Sequence, residues 1–152
     1  MWPEKVDYSL STPTKAVIFG TKVQVDFKLV PLLKGLRFGR VTTELNEKQE
    51  LSVKVRNAPV KSRHNQRPIA KDEYRFPDDA ESIDIEGQDG FTFSRAISIP
   101  QSLKCCLQTV DALGIKIRHS LCFNIQMHNP DGHTSEVSGK ARKLTTSIVD
   151  IR

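Results

Sequence analysis

One long alternating segment, IKIRHSLCFNIQMHNPDG at residues 115–132, constrains the fold of this chain more than any other feature. Apolar side chains hold one parity from Ile115 to Met127, with His119 as the only polar member, and polar side chains hold the other parity together with Cys122. Successive side chains of a strand point to opposite faces, so the pattern predicts a strand with one buried and one solvated face. At roughly 3.3 Å per residue, its length suits a large antiparallel sandwich.

The end of this segment predicts a tight turn. Its Asn-Pro-Asp-Gly sequence at residues 129–132 suits a type I turn, with Gly132 in the left-handed position of a bulged hairpin. Earlier in the chain, alternating apolar residues predict further strands at residues 23–29, 36–45, 51–55, 83–85, 91–99 and 103–107. A change of parity at Gly39 and Arg40 indicates a β-bulge. The sequence thus predicts an all-β fold, an immunoglobulin-like antiparallel β-sandwich.

Residues 56–81 lack apolar periodicity and contain three prolines, so they predict a long loop. The loop carries a concentrated basic cluster, formed by Lys61, Arg63, His64, Arg67 and Lys71. Loops on a rigid scaffold often carry recognition, and these five side chains suit an acidic protein segment or acidic phospholipid headgroups. We name them as candidate partner or lipid contacts, with a solvated insertion as the plainer alternative.

The net charge indicates what kind of partner the chain can bind, and the cysteines indicate the cellular compartment. The chain has 152 residues, a formal net charge of +5 and a pI of about 9.2, which favours acidic surfaces without choosing among them. Cys105, Cys106 and Cys122 show no C-x-x-C spacing, so we expect free thiols in a reducing cytosol. The absence of a membrane-length apolar run and of a signal-peptide pattern predicts a cytoplasmic chain.

Few residues suit catalysis or metal binding. His128, Asp131 and His133 are metal-ligand types at close spacing, but they straddle a turn in which the residues already have backbone roles. His119 on the apolar parity is interpreted as a core histidine that is hydrogen-bonded to the backbone, rather than as a pH switch or a ligand. No glycine-rich phosphate loop or nucleophile–base pair is apparent, so we predict no enzyme activity, no catalytic or metal site and no cofactor.

Three segments carry a family resemblance: VPLLKGL at residues 30–36, IPQSLKCCLQ at residues 99–108, and the alternating segment itself. In this order they resemble the C-terminal arrestin-like domain of fungal arrestin-related trafficking adaptors. The resemblance implies an adaptor that recognises cytosolic segments of plasma-membrane transporters and links them to a HECT-type ubiquitin ligase for ubiquitination and endocytosis. It also implies a cytoplasmic protein that is recruited peripherally to the plasma membrane or endosomes.

The sequence also departs from the family. It contains no preceding arrestin N-domain and no Pro-Pro-x-Tyr motif, so we expect ligase binding to involve regions absent here. After the Asn-Pro-Asp-Gly turn, VSGKARKLTTSIVDIR replaces the apolar strand typical of the family. We therefore predict an arrestin C-terminal-like domain at residues 10–136 and a divergent segment at residues 137–152. We expect the last strand of the family to be missing: either residues 144–151 partly substitute for it, or, as we favour, the chain is a truncated or mispredicted gene product.

Two other interpretations stay open. The positive charge is compatible with a nucleic-acid-binding β-domain, but aromatic residues are scarce at 7% and most hold buried parity, so we expect no nucleic-acid partner. The unusual C-terminal sequence is also compatible with a structural fragment that has no activity of its own. The sequence does not identify the cargo, the ligase or the regulatory signal.

Overall fold

The computed structural model describes residues 5–13, 16–140 and 148–151, and these form β-strands joined by turns and loops. The strands are β1 (Val6–Ser11), β2 (Ala16–Val17), β3 (Lys22–Pro31), β4 (Arg37–Val53), β5 (Lys61–Arg75), β6 (Ile83–Ile85), β7 (Gln88–Ser98), β8 (Val110–Ala112), β9 (Ile115–His128), β10 (Thr134–Lys140) and β11 (Ile148–Ile151). Within the described ranges, no helix is long and apolar enough to cross a membrane.

Two sheets pack face to face, which confirms the predicted β-sandwich. The smaller sheet has the strand order β1-β3-β7-β6. The larger sheet places β5, β4 and β9 side by side, and β10, β11 and β8 pair in succession along the other side of β9. All described strand pairs are antiparallel except β2 with β11.

The core lies between the inner faces of the two sheets. Side chains of β3 alternate from Lys22 to Leu29, and the inward-facing ones are buried because they meet the apolar side chains of β4 and β9. The larger sheet extends beyond the smaller one, so its inner face loses its cover at one end. There Leu51, Val53 and Ile115 are 40%, 58% and 43% exposed.

Strand β4 corrects the prediction of two separate strands at residues 36–45 and 51–55. It is one strand of 17 residues, and its register shift between Phe38 and Val41 confirms the predicted bulge. The continuity was missed because buried Glu47 occupies an inward position where the pattern requires an apolar residue.

The prediction of a loop throughout residues 56–81 was wrong, because residues 61–75 form β5. This strand pairs with β4 along its whole length, and its register shifts beside Pro68, where β4 passes from Leu45 to Asn46. An irregularity of this kind accommodates a residue that cannot donate to the strand ladder. Because most of β5 is exposed, apolar periodicity could not reveal it.

The predicted strand at residues 103–107 was also wrong. The amides of Cys105 and Cys106 both donate to the carbonyl of Ser102 at 2.9 Å, so the chain makes a tight turn there. The turn buries the Cys106 side chain and exposes that of Cys105. The segment from residue 100 to residue 109 consequently folds over the inner face of the larger sheet.

The returning strand that we expected to be lost is present. The Gly132 amide donates to the Asn129 carbonyl at 3.0 Å with a φ of 88° at Gly132, which confirms the predicted turn. Strand β10 then runs antiparallel to β9, and β11 pairs with both β9 and β2. Ile151 of β11 is fully buried in the core. Residues 141–147, which include part of the proposed replacement segment, lie outside the described residues.

Candidate partner-binding face

The five basic residues singled out in the sequence lie on β5, but on two faces of the sheet. Residues directly opposite each other on paired strands share a face. By this register Lys61, Arg63 and Arg67 lie on the inner face, and His64 and Lys71 lie on the outer face. The cluster therefore surrounds the edge of the larger sheet instead of occupying a loop.

Strand β5 is an edge strand in the described part of the chain, because it pairs there only with β4. The unpaired side of such a strand presents backbone N–H and C=O groups to solvent. Lys61, Arg63 and Lys71 are exposed, and none of them forms an ion pair with a described residue. Unpaired cations thus lie along an open sheet edge.

Neighbouring strands enlarge this positive surface on the outer face. Lys48 lies opposite Arg118, and Glu50 lies opposite Lys116. The Glu50 carboxylate contacts Lys48 at 3.4 Å and His64 at 3.8 Å. A hydrogen bond from Lys48, together with the charges of Lys48, His64 and Lys116, holds the pKa of Glu50 below its ordinary value. Glu50 is outnumbered by the basic groups around it.

We define the basic edge as this surface, formed by Lys48, Lys61, Arg63, His64, Lys71, Lys116 and Arg118. Local clustering in the sequence revealed only its β5 members. The members on β4 and β9 are distant in sequence, and the strand register alone brings them beside β5.

Arg67 differs from its neighbours because its charge is engaged inside the protein. Its Nε lies 2.7 Å from Glu47 Oε2, and its Nη1 donates to the Lys104 carbonyl at 2.6 Å. The side chain of Glu47 is completely buried, whereas that of Arg67 is 30% exposed. We therefore leave Arg67 out of the basic edge.

Glu47 is held by a dense set of donors. Its Oε1 accepts the Leu107 amide at 2.6 Å, and its Oε2 accepts Gln49 Nε2 at 2.7 Å in addition to Arg67. His119 Nε2 lies 3.4 Å from Oε1. Burial raises the pKa of Glu47, but the hydrogen bonds from Leu107, Arg67 and Gln49 outweigh it, so the pKa lies below its ordinary value. The carboxylate stays ionised in the folded protein.

This depressed pKa predicts acid sensitivity. A carboxyl group with a lower pKa in the folded state contributes stability that is complete above its unfolded pKa, about 4.5 for Glu47, and is lost as the pH falls through the folded value. We expect the free energy of unfolding in urea to fall from about pH 5 toward about pH 3, and to fall less steeply in Glu47→Gln. Equal slopes for the wild-type chain and the variant would contradict this assignment.

The comparisons with known proteins agree with the fold. The family described as "Arrestin (or S-antigen), C-terminal domain" matches residues 2–143. The chain is 49% identical over 141 residues to "Probable HECT-type ubiquitin ligase-interacting protein creD" of Aspergillus terreus, covering 90% of this chain and 24% of that protein. It is 46% identical over 141 residues to "HECT-type ubiquitin ligase-interacting protein creD" of Emericella nidulans, again covering 90% of this chain and 24% of the relative.

Among solved structures, the sporulation control protein Spo0M of Bacillus subtilis is similar at a TM-score of 0.40 and 9% identity, covering 97% of this chain and 49% of that one. The chain spans about a quarter of the length of the curated relatives described above. The family match nevertheless extends over nearly all of the chain and agrees with its two-sheet architecture. The chain therefore belongs to the family of arrestin C-terminal domains.

Proposed function

We propose that this domain is the cargo-binding part of a non-enzymatic adaptor that connects plasma-membrane transporters to a HECT-type ubiquitin ligase. The names of the relatives support the ligase connection. The observation that carries the proposal is the basic edge, where unpaired lysine and arginine side chains lie along an open strand. Transporter ubiquitination and endocytosis, and recruitment from the cytoplasm to the plasma membrane or endosomes, would follow from this binding.

The chemistry of the basic edge favours an acidic, extended cytosolic segment as its partner. Lysine and arginine attract carboxylates over distance and orient the encounter, while the open side of β5 can pair with an added strand. The positive charges cover both faces next to this edge, so such a segment would have cations on either side. The ligase would bind through parts of the full-length protein outside this chain.

Charge reversal at the basic edge tests the proposal. We expect Lys61→Glu/Arg63→Glu to weaken binding of an acidic transporter-tail peptide by at least about 30-fold, since the loss of two contacts of about 1 kcal/mol each gives that factor and repulsion adds to it. The measurement is fluorescence anisotropy with the full 152-residue chain at two salt concentrations, because a charge-driven complex weakens as salt is added.

Lys22→Glu/Lys34→Glu is the matched control for total charge, because both lysines are exposed and lie away from β5. An equal loss of affinity in the two double variants would contradict a defined binding surface. Vesicles containing an anionic phospholipid provide a second arm. Binding to the vesicles without binding to any acidic peptide would replace the transporter segment by a lipid surface as the partner.

The aromatic side chains give no support to nucleic-acid binding. Phe93 stacks on Tyr74 at 4.6 Å and on Phe27 at 4.7 Å, and Phe76 contacts the same cluster. The basic edge contains no Phe, Tyr or Trp side chain, and the imidazole of His64 is the one ring it offers to a base. Binding of the chain to single-stranded RNA in preference to the acidic peptide would reverse this interpretation.

A further inference from the structure

Three side chains of types that bind metals lie close together on the inner face of the larger sheet, beneath the segment at residues 100–109. Glu47 comes from β4, His119 from β9, and Cys106 from the covering segment itself. One ligand atom of each lies within 4.8 Å of the corresponding atoms of the other two, and all three residues are buried. We propose that Glu47, Cys106 and His119 form a binding site for one Zn²⁺ ion.

The donor set selects the class of ion. A thiolate, an imidazole and a carboxylate are the ligand types that Zn²⁺ takes, whereas Mg²⁺ and Ca²⁺ require oxygen ligands. The distance of 3.4 Å between His119 Nε2 and Glu47 Oε1 is long for a hydrogen bond. It matches the separation of about 3.3–3.4 Å between two ligands of a tetrahedral ion with bonds of about 2.0–2.1 Å.

The surrounding hydrogen bonds orient Glu47 as a ligand. Arg67 and Gln49 occupy its Oε2 at 2.7 Å each, and the Leu107 amide donates to Oε1. Each carboxylate oxygen has two lone-pair sites, so Oε1 keeps one on the side of His119. Fixed partners of this kind hold carboxylate ligands in place in known metal sites.

His119 is oriented in a similar way. Its Nδ1 lies 2.9 Å from Thr109 Oγ1, a partner that can accept the Nδ1 proton. In that tautomer the lone pair of Nε2 points to the side of Glu47, as metal coordination requires. The hydrogen bond from a second-shell group to the far ring nitrogen is a regular feature of histidine ligands.

Cys106 would bind the ion through its sulfur, and its side chain is buried beside Glu47 and His119. On binding, the S–H bond breaks, an S–Zn bond forms and one proton leaves to the buffer, with no change of oxidation state. With the Arg67 guanidinium beside Glu47, the thiolate and the carboxylate would offset two of the three positive charges of the occupied site. A bound ion would join β4 and β9 to the covering segment.

The test uses the full 152-residue chain after removal of metals with a chelator. We expect calorimetric titration with Zn²⁺ to give one ion per chain, release of a proton, and a higher melting temperature when the metal is present. Titration with Co²⁺ should produce a thiolate-to-metal charge-transfer absorption. If the wild-type chain binds no Zn²⁺, or if Co²⁺ gives no such absorption, the proposal is overturned.

Matched variants locate the site. Cys106→Ala should weaken Zn²⁺ binding by at least about 100-fold and abolish the cobalt absorption. Cys105→Ala should change neither, because that neighbouring thiol is exposed. His133→Ala controls for the surface pair in which His133 Nδ1 lies 3.2 Å from Asp131 Oδ1. Loss of binding in His133→Ala with full binding in Cys106→Ala would overturn the buried site. Wild-type spectra remain decisive if Cys106→Ala does not fold.

Discussion

Glu47→Leu is expected to lower the free energy of unfolding by about 3–5 kcal/mol, because breaking a buried ion pair leaves one charge without compensation. Arg67 would keep its guanidinium beside a leucine, and the Leu107 amide would lose its acceptor at 2.6 Å. A partly buried amide that loses its acceptor costs up to about 1–3 kcal/mol, so both losses act in the same direction. Urea unfolding in the presence of a chelator measures the effect in the metal-free chain.

A control and a rescue separate this effect from a general sensitivity to charge loss. Glu50→Gln removes a carboxylate from the same strand at the surface, where ion pairs contribute about 0–1 kcal/mol. The double variant Glu47→Leu/Arg67→Met should recover a large part of the loss, since it removes the pair instead of breaking it. If Glu47→Leu and Glu50→Gln are equally stable, the ion pair has no structural role.

The part of the fold that the sequence predicts is the part in which apolar and polar side chains alternate without interruption. Strand β9 and its turn follow from the sequence because His119 is the only polar residue on the apolar parity, and the bulge after Phe38 follows from the change of parity there. Strand β5 could not be predicted in this way. The inward position opposite Glu47 holds Arg67, a charged residue whose buried partner cannot be recognised from the sequence. The register also shifts beside Pro68, which interrupts the alternation.

The candidate sites show the same division between local and distant information. Lys61 and Arg63 are recognisable because they are clustered in the sequence, whereas Lys48 and Arg118 join them only through strand pairing. Residue spacing alone directed the search for metal ligands to the turn at residues 128–133. The buried group of ligand types combines residues from two strands and a covering turn, with Glu47 and His119 separated by 72 positions. This group of ligand types can be recognised only when the pairing register of β4 and β9 is known.

Ile151→Ala is expected to lower the free energy of unfolding by about 2–5 kcal/mol, the usual cost of truncating a buried isoleucine. The side chain is fully buried in the main core, although it lies in the segment for which the sequence indicated divergence from the family. The backbone of Ile151 also forms two hydrogen bonds with Thr109. The Ile151 carbonyl accepts from the Thr109 amide at 2.8 Å, and the Ile151 amide donates to Thr109 Oγ1 at 2.9 Å. Unfolding in urea checks the prediction.

Leu113→Ala is the control for this substitution, because Leu113 is completely exposed and its truncation should change stability by less than about 0.5 kcal/mol. Hydrogen exchange adds a local measurement. In Ile151→Ala the Thr109 amide should exchange faster relative to the Ser52 amide, which bonds to the Gly114 carbonyl at 2.8 Å, far from β11 in the larger sheet. If Ile151→Ala is as stable as Leu113→Ala and the exchange of Thr109 is unchanged, β11 does not pack into the core, and the sandwich ends at β10.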